Sequence, residues 1–166
     1  NIKKIFYQPL DLGKQEQKIS TQKVLNNEIL KAKYFGLATH YTLEMMSKFD
    51  ISSLEHSINL SRTKYFNYLK ESDFENIKMI IKNLIESEKF QDLIKDAKIV
   101  HEQALIYKEE VKVLDLLLYK NDRFVVVDYK TTTEILTSHK VQVQEYKNAI
   151  AQISNTKDVD GYLIYL

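Results

Sequence analysis

The sequence contains no cysteine or tryptophan, and only one proline and three glycines occur among its 166 residues. Without thiolates the chain cannot form disulfides, and it cannot hold a cysteine-ligated zinc ion or an iron–sulfur cluster. An absence of cysteine is also typical of proteins that fold in a reducing compartment, so we predict a cytoplasmic location.

Neither an excess of one charge nor a long apolar run is present. Lys and Arg total 24 against 23 Asp and Glu, which gives a formal net charge of +1. This balance does not indicate a nucleic-acid or membrane partner, so any anionic substrate must be met by a local site. No stretch approaches the roughly 18 consecutive apolar residues of a transmembrane helix, and the first residues lack the apolar core of a signal peptide. We therefore predict a soluble protein with no membrane partner.

The length is suited to one domain, which would bury roughly 70% of the surface that its unfolded chain exposes. Pro9, Gly13 and many polar side chains near the start predict an irregular lead-in or linker. We assign residues 1–33 to this lead-in and the first helix, and residues 34–166 to the main domain. Because the chain begins with Asn1 and ends on the apolar segment YLIYL, we expect a piece of a longer polypeptide.

The first half of the sequence has the periodicity of helices. From Thr21 apolar residues recur at helical spacing, and Gly36 is the predicted break between two helices. A third helix is predicted in SLEHSINLSRTKYFNYLK. Ser72 and Glu75 have the spacing of a capping box, which predicts a fourth helix from Ser72 to about Ser87.

After Lys98 the period shortens to that of strands. The segments KIVHEQALIY, VKVLDLLLYK and RFVVVDYK predict a three-stranded antiparallel meander, with a tight turn at Asn121-Asp122. A helix over roughly 138–154 and a last strand in GYLIYL follow. The predicted fold is α/β: a mixed sheet containing the meander, flanked by helices, after a helical N-terminal half.

The predicted turn brings charged residues together. With Asn121-Asp122 at its centre, Asp115 lies opposite Asp128 and Val113 lies opposite Lys130. Asp115, Asp128 and Lys130 then project from one face, with about 5 Å between the Cβ atoms of the two aspartates.

Two facing carboxylates repel each other unless a cation lies between them, and oxygen ligands of this kind suit Mg²⁺ or Mn²⁺. Beside such an ion, Lys130 could orient water or stabilise developing negative charge during phosphodiester cleavage. Two alternatives stay open: Asp128 and Lys130 form an ordinary solvated strand end, or Lys130 forms a plain ion pair with the aspartates.

Further residues could join this site. His40 could supply a neutral imidazole to a metal, although a lone histidine is more often a packed or surface residue. Glu102 on the first long strand could be an outer ligand or simply an exposed residue. Gln142 and Tyr146, four apart, share a helix face, which is also expected of any amphipathic helix.

In order along residues 34–166, the motifs GxxxH, Glu, Asp, DYK and QxxxY resemble those of the RecB-type nuclease family, a branch of the PD-(D/E)xK superfamily. The resemblance implies a restriction-endonuclease-like core and Mg²⁺-dependent cleavage of DNA, with Mn²⁺ as a substitute. It also implies site roles. Catalytic residues would be Asp115, Asp128 and Lys130; metal ligands would be His40, Asp115, Asp128 and the Tyr129 carbonyl; supporting or substrate-contacting residues would be Glu102, Gln142 and Tyr146.

The sequence departs from the family pattern at two positions near the first aspartate. Lys112 stands where a glycine is frequent and Leu116 where an arginine is frequent, which puts the local strand geometry in question. The lack of cysteine indicates the kind without an iron–sulfur cluster, found at the C-terminus of AddA- or RecB-like helicase–nucleases.

The resemblance further implies DNA as substrate, a helicase motor in the same polypeptide, an AddB- or RecC-like partner subunit and a role in double-strand break repair. The alternatives are a stand-alone exonuclease, a restriction-like endonuclease, or a degenerate nuclease fold that binds DNA or docks a partner.

Overall fold

The computed structural model describes residues 2–6 and 21–166, with the side chains of residues 2–5 and 26–166. The chain divides into two compact units, a helical unit over Gln8–Ile85 and a sheet unit over Asn1–Tyr7 with Glu86–Leu166. No helix within the described ranges has both the length and the apolarity needed to span a membrane.

Three helices make up the described part of the helical unit: α1 (Thr21–Met45), α2 (Ile51–Tyr65) and α3 (Glu71–Ile85). Polar contacts connect them. The Ser61 hydroxyl on α2 donates to the Ala38 carbonyl of α1 over 3.1 Å. The ammonium of Lys31 on α1 lies 2.8 Å from the carboxylate of Asp73 on α3.

Two predictions for this unit are wrong in detail. α1 continues through Gly36 without a break, because one glycine costs a helix only about 1 kcal/mol relative to alanine and buried residues such as Ala38 stabilise it. α3 begins at Glu71 rather than at Ser72. The Asp73 carboxylate accepts from the Lys70 amide at 2.9 Å, so the capping interaction uses a residue pair two positions earlier than predicted.

The sheet unit has a five-stranded mixed sheet with strand order β1-β5-β4-β3-β2. β2, β3 and β4 form the predicted antiparallel meander, while β5 lies parallel to both β4 and β1. The predicted α/β class, with a mixed sheet that contains the meander, is therefore confirmed. Its elements are β1 (Ile2–Phe6), α4 (Glu88–Ile94), β2 (Lys98–Tyr107), β3 (Glu110–Lys120), β4 (Arg123–Lys130), α5 (Thr137–Ser154) and β5 (Val159–Tyr165).

The start of the chain differs from the predicted irregular lead-in. Residues 2–6 form β1, which pairs in parallel with β5 in a register that places Ile2 beside Gly161. Such a short strand depends on a partner more than 150 residues away, and no local pattern reveals that partner. Pro9 and Gly13, which motivated the prediction, lie outside the described residues. The seven-residue helix α4, capped by the Ser87 hydroxyl, was also not predicted.

Helix α5 covers one face of the sheet. Its buried residues Val143, Tyr146, Ala149 and Ile150 recur at helical spacing. Tyr146 and Ile150 pack with Val126 of β4 in one apolar cluster, and Val143 packs with strand β5 in a second. The face of β4 that carries Val126 also carries Asp128 and Lys130, because side chains alternate along a strand. Packing of α5 thus decides which groups meet the charged end of β4.

Replacing Gly161 of β5 by alanine is expected to destabilise the sheet unit by about 1–3 kcal/mol. An added Cβ would lie 2.7 Å from Cγ1 of Val143 and 2.9 Å from Cδ of Lys147, both on α5. Lys147 can move, but Val143 is fully buried. Urea unfolding of Gly161→Ala measures the effect. Because glycine usually weakens a strand, a stabilised variant would show that α5 does not pack this closely.

Candidate active site

The β3–β4 hairpin has the predicted register. Its pairs run from Lys120 beside Arg123 to Leu116 beside Val127. Asn121 and Asp122 have φ angles of 51° and 59°, as a two-residue type I′ turn requires. The prediction of the hairpin centre is therefore confirmed over the paired part of the strands.

Pairing of β3 with β4 ends just before the two aspartates. The predicted position of Val113 opposite Lys130 is wrong, because pairing of β3 with β4 ends at Leu116 and Val127, whereas β4 stays paired with β5 as far as Lys130 and Tyr165. At this point the Tyr129 amide donates its hydrogen bond to the Asp115 carboxylate, over 2.7 Å, instead of to a main-chain carbonyl of β3. The two strands separate here. We call this point, between Asp115 of β3 and the Asp128–Tyr129 peptide of β4, the fork, and the Asp115 side chain fills it.

A polar chain leads from β4 to α5. The ammonium of Lys130 lies 2.7 Å from Oδ2 of Asp128 and donates to Oε1 of Gln142 over 2.8 Å. Gln142 in turn donates from Nε2 to the hydroxyl of Tyr146 over 2.8 Å. Asp128 and Lys130 are mostly buried, with side chains 4% and 17% exposed. The DYK and QxxxY motifs, twelve residues apart at Lys130 and Gln142, thus form one hydrogen-bonded group.

Tyr146 lies close to both aspartates. Burial raises the pKa of its hydroxyl, and the negative charges of Asp128 and Asp115 raise that pKa further, while the bond from Gln142 lowers it. Because both carboxylates raise the pKa of the same hydroxyl, Asp115 and Asp128 both lie near Tyr146. Tyr146 remains a neutral hydroxyl at physiological pH.

Glu102 lies opposite Asp115 across the β2–β3 pair but in distorted backbone. Pairing of β2 with β3 keeps one register from end to end, and Glu102 and Asp115 are the one opposed position within it that does not pair. Glu102 has a φ of 46°. Leu114 and Leu117 both pack beneath α5, although residues three apart on a regular strand point to opposite faces. The strand pair changes face at Glu102 and Asp115. Among the described residues no group of three or more His, Asp and Glu could hold a metal, so Glu102 does not complete a triad with the aspartates.

The oxygen donors at the fork fit a hard divalent cation. Asp115 and Asp128 supply two carboxylates, and the Tyr129 carbonyl points to the same side of β4 as the Tyr129 amide that meets Asp115. Mg²⁺ in proteins is held by one or two carboxylates and keeps several waters, so a third acidic side chain is not required. His40 belongs to the helical unit, on α1, and its role as a ligand stays a prediction.

Sequence reasoning missed two residues beside this group. Nδ1 of His139 lies 3.1 Å from the hydroxyl of Tyr165, the β5 residue paired with Lys130. Burial raises the pKa of Tyr165, and Asp128 raises it further. The spacing of His139 and Gln142, three apart on α5, was the signal available in the sequence. Tyr165 had no such signal, because its proximity depends on the pairing of β4 with β5.

Lys112 forms ion pairs with two glutamates. Its ammonium lies 2.7 Å from Glu110 and 3.0 Å from Glu145 of α5. Glu110 and, next, Glu145 raise the pKa of Lys112. The ion pair with Glu145, the residue directly before Tyr146, connects β3 to α5 and supports the position of α5.

The pKa of His139 is expected to lie below its ordinary value of 6.5, because burial, then Lys130 and Lys4, disfavour the imidazolium. Because the folded protein favours the neutral ring, His139 contributes stability at pH values above its pKa in the unfolded chain. This contribution is lost as the pH falls through the lower pKa of the folded protein. Titration of His139 by NMR measures the pKa. In Lys130→Met it should rise towards 6.5, and an unchanged or lower value would mean that Lys130 does not face the ring.

No protein-family model matches the chain, and no curated protein is similar to it at a significant level.

Proposed function

We propose that this chain is a metal-dependent DNA nuclease with a restriction-endonuclease-like core of the RecB type. One observation carries the proposal: at the fork between β3 and β4, Asp115 binds the Tyr129 amide, and Asp128 pairs with a lysine that is bonded to Gln142 and, through it, to Tyr146. A strand end that was only a solvated edge would not need a mostly buried carboxylate, a mostly buried ammonium and two helix side chains bonded in series.

The proposed ligands in the sheet unit are Asp115, Asp128 and the Tyr129 carbonyl, and the family resemblance alone suggests His40. A bound Mg²⁺, or Mn²⁺, would neutralise phosphate charge and lower the pKa of the attacking water. The chain's own residues do the positioning. Asp115 keeps its carboxylate at the fork through its bond to the Tyr129 amide, so it is oriented before substrate arrives.

Lys130 is the proposed group that positions the nucleophilic water and stabilises developing negative charge at phosphorus. A lysine has a flexible stem and loses much rotamer freedom when held in one place. Gln142 accepts from its ammonium and donates to Tyr146, which fixes the orientation of the amide and therefore of Lys130. Gln142 and Tyr146 are accordingly positioning residues, and Glu102 supports the strand distortion at Asp115.

The biological setting is proposed on the family resemblance. The chain would be the exonuclease module of a recombination helicase–nuclease, with a motor in the same polypeptide and an AddB- or RecC-like partner, acting on DNA ends in double-strand break repair in the cytoplasm. A stand-alone exonuclease or a restriction-like endonuclease would use the same residues. A phosphate-binding GxxxxGK[ST] motif elsewhere in the gene would favour the motor-bearing form.

One observation favours a second function. The 2.7 Å contact between Lys130 and Asp128 is also what a plain structural ion pair would show, and a degenerate nuclease fold that docks DNA or a partner would retain it. Titration with Mg²⁺ or Mn²⁺ separates the two, because a docking module needs no divalent ion.

An assay on end-labelled single- and double-stranded DNA tests the proposal, with Mg²⁺, Ca²⁺ and chelator in parallel. We expect cleavage in Mg²⁺, little in Ca²⁺ and none in chelator. Shortening from the labelled ends indicates an exonuclease, whereas internal fragments indicate an endonuclease. Intact DNA in Mg²⁺ and Mn²⁺ alike would reject the nuclease and favour the docking module.

A further inference from the structure

A basic groove lies on the face of the sheet opposite the aspartates. Its volume is about 1010 Å³, and Val125 of β4 is part of its lining. Side chains alternate along a strand, so Val125 points away from the face that carries Val126, Asp128 and α5. The groove is therefore separate from the candidate active site, about 10 Å further back along β4.

Positive charge is concentrated in this groove. Four cationic side chains line it against two acidic ones, Asp92 and Asp160, in a chain whose formal net charge is only +1. The cations come from three separate parts of the sheet unit, namely β1, α4 and the β3–β4 hairpin. They are Lys3, Lys89, Lys120 and Arg123. Lys4 also borders the groove, but its side chain lies on the α5 face, near His139.

The lining acids compensate these cations only weakly, and the effect of Asp160 on Lys3 acts at a distance. Among the side chains that the structure describes, neither Asp92 nor Asp160 forms an ion pair with a lining cation. Lys120 donates to the main-chain carbonyl of Asp92 over 3.0 Å, a contact that leaves its charge uncompensated. Arg123 pairs with Asp158 at 3.2 Å, but both side chains are more than half exposed, so that pair is weak.

We propose that this groove binds a nucleic-acid strand through its phosphodiester backbone, as a second DNA contact apart from the active site. The identity of the polyanion as DNA rests on the proposed function. The volume lies at the upper end of the range for small-ligand sites and is too large for a single phosphate. Cations spread over three elements match a chain of phosphates, and the apolar floor, with Val125 and Tyr162, can contact sugars and bases.

The test is fluorescence anisotropy with a labelled single-stranded oligonucleotide in chelator, so that no cleavage takes place, at several salt concentrations. Lys89→Glu reverses an exposed lining charge on α4. Lys98→Glu is the matched control, because Lys98 is exposed at the start of β2 and lines a smaller pocket with Leu117, on the α5 face. We expect Lys89→Glu to weaken binding about threefold to tenfold and to reduce the salt slope by about 1, with Lys98→Glu close to the parent chain.

Equal losses of DNA affinity in Lys89→Glu and Lys98→Glu would overturn the proposal that the groove binds DNA. Complete displacement of DNA by millimolar inorganic phosphate would also overturn it. The outcomes for the groove and for the nuclease are distinguishable. DNA that is cut in Mg²⁺ but bound normally by Lys89→Glu rejects the groove alone. Salt-dependent binding that Lys89→Glu weakens, without cleavage by the parent chain, supports the groove and rejects the nuclease alone.

Discussion

Asp128→Asn is expected to reduce Mg²⁺-dependent DNA cleavage by at least about 100-fold, because loss of an outer-shell partner of a metal ligand already costs 10–100-fold and Asp128 is a proposed ligand itself. The substitution keeps the size of the side chain and removes its charge. With one carboxylate left at the fork, Mg²⁺ should also bind more weakly. End-labelled DNA reports cleavage, and calorimetric titration with Mg²⁺ reports binding independently of activity.

Asp96→Asn is the control for this variant. Asp96 is exposed in the turn between α4 and β2 and has a φ of 59°, a conformation that asparagine also adopts. Asp96→Asn makes the same chemical change away from the fork, so this variant should cleave DNA like the parent chain. If Asp128→Asn cuts DNA in Mg²⁺ at the parental rate while remaining folded, the assignment of Asp128 is wrong.

Lys130→Met is expected to lower the free energy of unfolding by about 3 kcal/mol in chelator, since it removes the ammonium beside a mostly buried carboxylate. Methionine retains most of the apolar stem, so the loss reports mainly the charge. Under the proposed function, Mg²⁺ supplies another positive partner for Asp128 and should restore part of the stability. Urea unfolding with and without Mg²⁺ measures both effects.

The same variant should lose about 100-fold or more of its cleavage activity even where Mg²⁺ restores its stability, because the group that positions water is gone. Lys140→Met is the control: this lysine is exposed on α5, and its replacement should change stability by no more than about 0.5 kcal/mol. An identical stability loss with and without Mg²⁺ would mean that Lys130 is only a structural counter-ion, which favours the docking module over the nuclease.

Local patterns predicted the meander and its register well. The strands β2, β3 and β4 match the three predicted apolar segments to within one residue, because each is bounded by turn-forming or charged residues. Asn121 and Asp122 both adopt positive φ readily, so the hairpin centre could be identified from two letters. The spacing of Gln142 and Tyr146 likewise anticipated their shared face on α5.

Those patterns could not predict the residue at which pairing of β3 with β4 ends. A constant register would have continued to Val113 and Lys130, but pairing of β3 with β4 ends at Leu116 and Val127, and the Asp115 side chain accepts the Tyr129 amide beyond that point. The face change at Glu102 and Asp115 is equally invisible in the sequence, since it depends on two strands distorting together.

By itself the sequence determined the α/β class, the meander, the amphipathic α5 and the residue types available for chemistry, because these depend on turn propensity and on periodicity within a few residues. Only the tertiary structure decided that β1 joins the sheet, that Lys130 meets Gln142, and that His139 and Tyr165 adjoin them. Those contacts join segments up to more than 150 residues apart. They arise from packing of α5 and β5 against β4, which no short stretch of sequence encodes.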